Sequence, residues 1–385
     1  MSPTPFWLFL RPEAKTVNDA AAEKVKVRGV LHGGVAFFAH PFVRFLVSRG
    51  TFYLLAIVAG FTMTFFIPRL MPGNPVDMML RPAQPGLPGL AGGASPAVGR
   101  AADFARIRAA LEEFFGLDKP LHQQYLVFWQ RLFRGDLGPS FAFSMQPVAE
   151  IVGRALLFTL VLVVPVLLLS FYLGNYIGAS AAISQRGVSS LVYYGSLFFA
   201  QMPFYWFAMI LSFLLALKAG LFPFYGWHSP ELLPNWSLSF LMNVAWHYAL
   251  PFLALLIGSI GTWTVGMWSM MLYEMRSDYI LYCQQLGFRK RTLKKYAKRN
   301  AMLPQYTGFN LVLSGLIGQT VITEVVFGWP GLGSLGYRAI LSRDYPLLMG
   351  TFLVTVVVVL LGNFLMDILY GLIDPRIRTG YVERG

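Results

Sequence analysis

Charged residues are scarce in this chain of 385 amino acids: they make up 13% of it, whereas 56% of its residues are hydrophobic. A soluble domain of ordinary composition carries about 25% charged residues. The shortage therefore excludes a typical soluble protein and indicates a polytopic membrane protein.

Two further absences exclude classes of chemistry. The single cysteine, Cys283, excludes an internal disulfide and a cysteine cluster for a metal. The sequence has no phosphate-binding loop of the GxxxxGK[ST] type, and its five histidines never recur at the spacing of a two-ligand helical zinc site. We therefore expect no catalytic, metal-binding or cofactor-binding residues, and any energy-consuming role needs an ATPase on another polypeptide.

What the chain does have is six windows without Asp, Glu, Lys or Arg. Each is long enough to cross a bilayer, which takes about 20 apolar residues per helix. In the fourth window we expect the helix near 248–272, with the residues before it outside the core or along the interface. The sequence thus predicts an all-α polytopic membrane protein with six transmembrane helices, in windows 50–68, 155–185, 187–217, 232–273, 300–323 and 345–366.

The basic residues predict the orientation. Six spans place both termini on one side, and a cytoplasmic location of the termini puts 19 of the 31 Lys and Arg residues on the cytoplasmic side. The positive-inside rule favours this N-in, C-in arrangement. The net charge of +13 is then explained by loops that face anionic lipid and cytoplasm, and we expect no nucleic-acid partner.

The windows and loops predict a domain organisation. The loop between the first and second spans (69–154) is predicted to lie on the outer side. It contains a Gly/Pro/Ala coil at 82–99 and two amphipathic helices, 102–115 and 121–133. A short charged helix is expected near 19–28. The predicted segments are a cytoplasmic extension (1–49), the first span (50–68), an extracytoplasmic loop (69–154), a transmembrane core (155–372) containing a cytoplasmic loop (274–302), and a cytoplasmic tail (373–385).

The cytoplasmic loop is the most informative segment, because eight of residues 276–304 are Lys or Arg. It predicts a short surface helix over 278–286 that ends at Gly287 in a left-handed cap. A second basic helix over 290–299 should lead to Pro304 at the start of the fifth span. Composition alone leaves open whether a soluble partner docks here or whether the loop is simply solvated and fixes the topology.

Five segments in order resemble the inner-membrane permease of binding-protein-dependent ABC importers of the dipeptide, oligopeptide and nickel type. The resemblance covers nearly all of residues 46–380. The segments are RLMPGNPVD (69–77), LDKPLHQQYLVFWQRLFRGDLGPSF (117–141), MPFYWFAMIL (202–211), EVVFGWPGLGSLGYRAILSRDYPLLMG (324–350) and DILYGLIDPRIR (367–378).

The resemblance implies the type I ABC importer permease fold, with a large outer loop between helices 1 and 2, in the inner or plasma membrane of a bacterium or archaeon. The implied partners are a second homologous permease, two ABC ATPase subunits that carry ATP and Mg, an extracytoplasmic substrate-binding protein and membrane lipid. The implied cargo is di- and oligopeptides, with oligosaccharides or nickel and opine-like solutes as alternatives. A self-contained secondary transporter or channel, or a scaffold that binds an ATPase without importing anything, remains as a function of another class.

The family's cytoplasmic loop carries the coupling-helix motif, in which small residues precede a Gly and then a Leu-Pro pair. Gly287, Leu303 and Pro304 fit this pattern. Cys283 and Gln285 stand where the family usually has alanines, so we expect them to present a bulkier and more polar surface. The predicted ATPase-coupling residues are Asp278, Tyr279, Cys283, Gln285, Gly287, Arg289, Arg291, Leu303 and Pro304.

The outer end of the fifth span supplies candidates for the translocation pathway and its gate. Glu324 has two readings: it meets a cationic substrate end, or it is structural, paired with Arg338 or Arg343 or capping the next turn. The structural reading is favoured because that turn needs its backbone groups satisfied at membrane depth. The candidates are Gln319, Thr323, Glu324, Trp329, Pro330 and Gly331. Small residues in the fourth span, such as Gly258 and Gly261, predict a packing face, and the outer loop either reaches a docked carrier or caps the ends of the first two spans.

Overall fold

The structure is a computed structural model that describes residues 41–70, 119–183 and 187–373, together with residues 109 and 112. Outside these residues lie the helix predicted near 19–28, the coil at 82–99, most of the helix predicted over 102–115, residues 1–40 of the predicted extension and the tail beyond 373. Residues 41–49, predicted as part of that extension, are described and belong to a helix. Contacts divide the described residues into two compact units, 41–52 with 368–373 and 53–367.

Helices account for nearly all regular structure in the described part of the chain, which contains no strand and one isolated bridge between Pro139 and Pro147. This confirms the predicted all-α class. The helices are α1 (Pro41–Leu70), α2 (Leu121–Phe133), α3 (Val148–Ile183), α4 (Gly187–Gln201), α5 (Phe204–Leu211), α6 (Leu238–Met275), α7 (Asp278–Gln285), α8 (Lys290–Phe327), α9 (Leu332–Leu341) and α10 (Tyr345–Ile373); a π-helical turn (Ser212–Lys218) follows α5.

Five of these helices are long and apolar enough to cross a membrane, and α4 with the α5 segment supplies a sixth span if the pair counts as one. That pair bends by 99°. Pro203 explains the break, because proline lacks an N–H and disfavours helical backbone in the residue before it. The window 187–217 was predicted as one span, since an absence of charges gives no information about such a bend.

Helices α6 and α8 begin well before the predicted starts of their spans, and α1, α3 and α10 also extend beyond the windows 50–68, 155–185 and 345–366. Helix α6 begins at Leu238, where Ser237 accepts a hydrogen bond from the Phe240 N–H at 3.3 Å, so the expectation that 232–247 lies wholly outside the helix is wrong from residue 238 onward. Helix α8 runs without interruption from Lys290 through Pro304 to Phe327. The prediction of a separate basic helix over 290–299 is therefore also wrong, because these residues form the first turns of α8, the helix of the fifth span.

Helix α6 lies at the centre of the larger unit, against α3, α4 and α8. Glycines allow these helices to approach closely: a Cβ on Gly174 of α3 would lie 2.8 Å from the Ile260 carbonyl oxygen of α6. A Cβ on Gly261 would lie 2.6 Å from the Ser196 carbonyl oxygen of α4, and one on Gly258 would lie 2.7 Å from the Phe204 ring. The predicted packing role of the small residues in the fourth span is confirmed for Gly258 and Gly261.

Candidate functional site

The short helix α7 is held on α8 by one buried side chain. Ile280 is 1% exposed and packs in a cluster with Leu293, Ala297 and Ala301 of α8 and Met271 of α6. These residues are small or aliphatic, and in α8 they recur every four positions, so they form one face of that helix. Arg291, Lys295 and Arg299 are exposed and form a basic face on the side of α8 away from this cluster. Ile280 was not among the predicted residues, although an isoleucine in a polar loop is a usable signal.

A polar link joins the same three helices. The Tyr279 hydroxyl donates a 2.6 Å hydrogen bond to the Glu274 carboxylate in the last turn of α6, and the Asn300 amide of α8 donates to that hydroxyl at 2.9 Å. Burial, together with the bond to the Glu274 carboxylate, raises the pKa of Tyr279. The phenol therefore stays protonated and remains a donor. Tyr279 was among the predicted residues, whereas its partners were not.

Gly287 ends this helical segment in the left-handed region, with φ of +79°. Its N–H donates to the Gln284 carbonyl oxygen at 3.0 Å, and the next N–H, of Phe288, donates to the Cys283 carbonyl oxygen at 3.1 Å. A Cβ at this position would meet nothing within 4 Å. The glycine is therefore required by its backbone conformation and not by space, which confirms the predicted cap.

The outward side of α7 and the turn after it expose large apolar side chains. Their exposed fractions range from 43% to 63%, for Leu281, Tyr282, Leu286 and Phe288. Gln285 is exposed as well, but Cys283 is half-buried and packs against the Ile280 cluster. The expectation that both residues present a polar surface is therefore wrong for Cys283.

Most of the remaining predicted loop residues are exposed, including Asp278, Arg289 and Arg291, and Pro304 lies on the exposed side of α8, with Leu303 half-buried beside it. Lys298 places its ammonium 5.6 Å from the centre of the Tyr176 ring in α3. Because α8 is continuous and 38 residues long, the helix carrying this basic face extends roughly 57 Å at 1.5 Å per residue.

At the far end of α8, Glu324 is fully buried and accepts three hydrogen bonds. Thr159 of α3 donates its hydroxyl to Oε1 at 2.7 Å, and the N–H groups of Gly333 and Ser334 donate to Oε2 at 2.7 and 3.1 Å. The N–H of Leu332 donates to the Thr159 hydroxyl oxygen at 2.8 Å. Together Glu324 and Thr159 satisfy the first-turn donors of α9, which its own Gly331 N-cap cannot do.

This geometry supports the structural reading of Glu324 as a cap. Within the described residues it makes no ion pair with Arg338 or Arg343. Gly331 packs directly against Glu324 and Thr159, so a side chain there has no room. Thr159 was not predicted, because a threonine in an apolar helix has no local pattern that indicates a partner 165 residues away.

The other pathway candidates fall into two environments. Trp329 is 1% exposed and donates its indole N–H to the Phe158 carbonyl oxygen at 3.0 Å. Thr323 is 1% exposed and donates to the carbonyl oxygen of Gln319 at 3.3 Å. Gln319 and Pro330 are half-buried. The structure thus brings Glu324, Trp329 and Gly331 together at the junction of α8 with α9, and it leaves Gln319 farther along α8.

A second buried carboxylate, not singled out from the sequence, organises the loop before α3. Asp344 is 1% exposed and accepts hydrogen bonds from the Ser140 hydroxyl at 2.5 Å, the Ala142 N–H at 2.9 Å and the Leu347 N–H at 3.1 Å. It therefore caps the start of α10 and ties the segment before α3 to it. An aspartate directly before an apolar helix is a recognisable capping signal.

The chain is similar to known proteins over most of its length. Residues 174–379 match the family model described as "Binding-protein-dependent transport system inner membrane component". The oligopeptide transport system permease protein AppB of Bacillus subtilis is 30% identical, over 86% of this chain and 98% of the relative. The di/tripeptide transport system permease protein DppB of Pseudomonas aeruginosa is 32% identical over 86% and 98%. The dipeptide transport system permease protein DppB of Escherichia coli K12 is 30% identical over 87% and 99%.

Proposed function

This chain belongs to the family of inner membrane components of binding-protein-dependent transport systems, and we propose that it is the permease subunit of an ATP-driven importer of di- and oligopeptides. It forms half of the translocation pathway with a second homologous permease. Two separate ATPase subunits bind ATP and Mg and hydrolyse the nucleotide, and an extracytoplasmic substrate-binding protein delivers the peptide. The names of the relatives, which are dipeptide, di/tripeptide and oligopeptide permeases, support this cargo.

The observation that carries the coupling role is the firm attachment of α7 to a continuous α8. Closure of the ATPase subunits on ATP displaces α7, and the buried Ile280 contact and the Tyr279 bonds pass the displacement to α6 and α8. Since α8 is one helix from Lys290 to Phe327, its outer end moves with its inner end. The spans thereby switch as rigid bodies between inward-open and outward-open states.

The exposed side chains of α7 and its following turn form the ATPase contact. Tyr282, Leu286 and Phe288 are large and accessible, and two of them are aromatic, a type of residue that is enriched in protein interfaces. Arg289 and Arg291 lie beside them and are exposed. The contact therefore combines aromatic anchors with positive charge, and it suits a cleft on a partner that has an acidic rim.

The orientation that this mechanism needs has both termini and α7 in the cytoplasm. It is tested with a single cysteine at an exposed position, Gln285→Cys, in a Cys283→Ser background. A membrane-impermeant maleimide should label this variant in inside-out vesicles and not in intact cells. A cysteine at exposed Phe133 in α2 should give the reverse pattern, and labelling of Gln285→Cys from outside the cell would disprove the arrangement.

The transport function is tested by co-purifying this chain with its partner permease and ATPases and reconstituting the complex in vesicles. Uptake of radiolabelled dialanine and trialanine should require ATP, the binding protein and an intact phosphate-binding lysine on the ATPases. Uptake by this chain alone, driven by an ion gradient, would instead establish a secondary transporter. Uptake of maltotriose with no uptake of either peptide would leave the importer class in place and disprove the peptide assignment.

A further inference from the structure

A cavity of about 260 Å³ lies between the first turns of α3 and the start of α9. Its floor is apolar and includes Ile151 and Phe158, whereas Glu150, Arg154 and Arg338 are the charged residues that line it. None of these charged residues has a role in the coupling or capping described above. The cavity is therefore a feature that the proposed transport mechanism does not yet use.

The charges around this cavity do not balance. Glu150 and Arg154 form an ion pair one helical turn apart at 2.5 Å, with side chains that are 57% and 74% exposed. Arg338 is exposed and makes no ion pair with any described residue. Among the described residues, one guanidinium therefore has no acidic partner, and its five N–H donors can bind an acceptor on a partner protein.

The cavity is closed toward the helix bundle. Gly331 lines it and packs directly against the buried Glu324 and Thr159 side chains, which are hydrogen-bonded to each other. Phe158 also lines it, and its carbonyl oxygen is held by the indole of Trp329. A solute that entered the cavity would meet this bonded wall, so the cavity does not continue into the helix bundle of this chain.

One wall of the cavity is a tightly held loop. Phe143 and Gln146 line the cavity, and between them Ser144 and Met145 adopt positive φ angles of 50° and 63°. Residues other than glycine rarely adopt this conformation, which persists only where surrounding contacts enforce it. Here the Asp344 carboxylate holds Ser140 and Ala142 at the base of the loop. The wall is therefore organised before any partner binds, which lowers the entropic cost of binding.

We propose that this cavity is a socket on the outer face that receives an acidic side chain of the substrate-binding protein, with Arg338 as the residue that pairs with it. This inference rests on the proposed function and orientation. A rigid, shallow site with exposed guanidinium groups and a closed floor fits a side chain that projects from a docked protein.

The test uses the complete complex in vesicles and measures ATP hydrolysis against the concentration of the cognate binding protein. Arg338→Glu should raise the half-saturating concentration about tenfold or more, because it replaces an attraction between close charges with a repulsion. Basal hydrolysis and the rate at saturating binding protein should not change. Arg338→Lys should retain most of the affinity, and added salt should weaken the wild-type interaction more than that of Arg338→Glu.

The matched control is Arg134→Glu, an exposed arginine at the end of α2 and outside the cavity. Equal half-saturating concentrations for Arg338→Glu and Arg134→Glu would overturn the socket. The socket would also be overturned if Arg338→Glu left the half-saturating concentration unchanged but selectively lost uptake of dialanine relative to uptake of its C-terminal amide. That result would mean that Arg338 interacts with the transported peptide. If the rate of ATP hydrolysis by the wild-type complex did not depend on the binding protein, both the proposed function and the socket would be overturned. The first two results would leave the proposed function intact.

Discussion

The hydroxyl of Thr159 in α3 and the carboxylate of Glu324 in α8 lie 2.7 Å apart, and both are buried where α9 begins. Each side chain also accepts a hydrogen bond from the backbone of α9. The pair therefore connects three helices through buried polar groups. A buried donor or acceptor costs free energy when its partner is removed.

Replacing Glu324 should destabilise the fold. Glu324→Gln retains the shape but provides one acceptor oxygen for three donors, so we expect a loss of about 1–3 kcal/mol in the free energy of unfolding for each donor left unpaired. The measurement is thermal unfolding of the detergent-solubilised protein. Glu231→Gln, at an exposed position, is the control. Equal unfolding temperatures for the two variants would contradict the capping role.

A double-mutant cycle tests whether Thr159 and Glu324 act as one unit. Thr159→Val removes both hydrogen bonds of the hydroxyl at nearly constant volume, and Thr159→Ser keeps them. If the two residues are coupled, Thr159→Val should cost less in the Glu324→Gln background than in the wild type, by roughly 0.5–3 kcal/mol. Strict additivity of the two losses would show that the residues contribute independently.

The sequence predicted the elements whose causes are local. Apolar windows indicated the spans, amphipathic periodicity predicted α2 with its observed limits of Leu121–Phe133, and Gly287 marked its own left-handed turn. Each of these depends on residues within one or two turns of the chain.

The features that could not be predicted depend on distant residues or on geometry that composition does not encode. The Thr159–Glu324 pair spans 165 residues. The inward position of Cys283 depends on the α7–α8 contact, and the continuity of α8 through Pro304 depends on neighbouring helices, which make an internal proline tolerable in membrane proteins. Pro203 has the opposite effect, because the helix breaks at this proline and bends by 99°.

Gly287 should be needed for coupling and not for insertion. Gly287→Pro fixes φ near −65° where the structure has +79°, and it removes the N–H that bonds to Gln284. We expect ATP-driven uptake in vesicles to fall at least tenfold while protein yield and basal ATP hydrolysis persist. Gly220→Pro is the matched control, because Gly220 also has a positive φ of 62° and a Cβ there would likewise meet nothing within 4 Å, yet it lies in another loop. Normal uptake by Gly287→Pro would count against the coupling assignment.

Ile280 should matter for transmission through its packing. Ile280→Ala removes a buried side chain from the contact with Leu293 and Ala297, and losses of about 2–5 kcal/mol are typical for such core truncations. We expect faster hydrogen exchange in α7 and fewer peptides transported per ATP hydrolysed. Leu281→Ala, at the neighbouring exposed position, should leave the exchange of α7 unchanged. Identical exchange in both variants would show that Ile280 does not anchor the helix.

The packing of α3 on α6 makes the position of a single methyl group decisive. A Cβ at Gly174 would overlap the Trp263 side chain and lie 2.8 Å from the Ile260 carbonyl oxygen, whereas one at Gly153 in the same helix would meet nothing within 4 Å. In an exposed helical position, Gly→Ala stabilises a helix by about 1 kcal/mol, so Gly153→Ala should raise the unfolding temperature or leave it unchanged. Gly174→Ala should lower that temperature and the yield of monodisperse protein, because the obstruction at Ile260 is backbone and cannot rotate away. The same response from both variants would mean that helix propensity, and not the close approach of α3 to α6, determines what these glycines contribute.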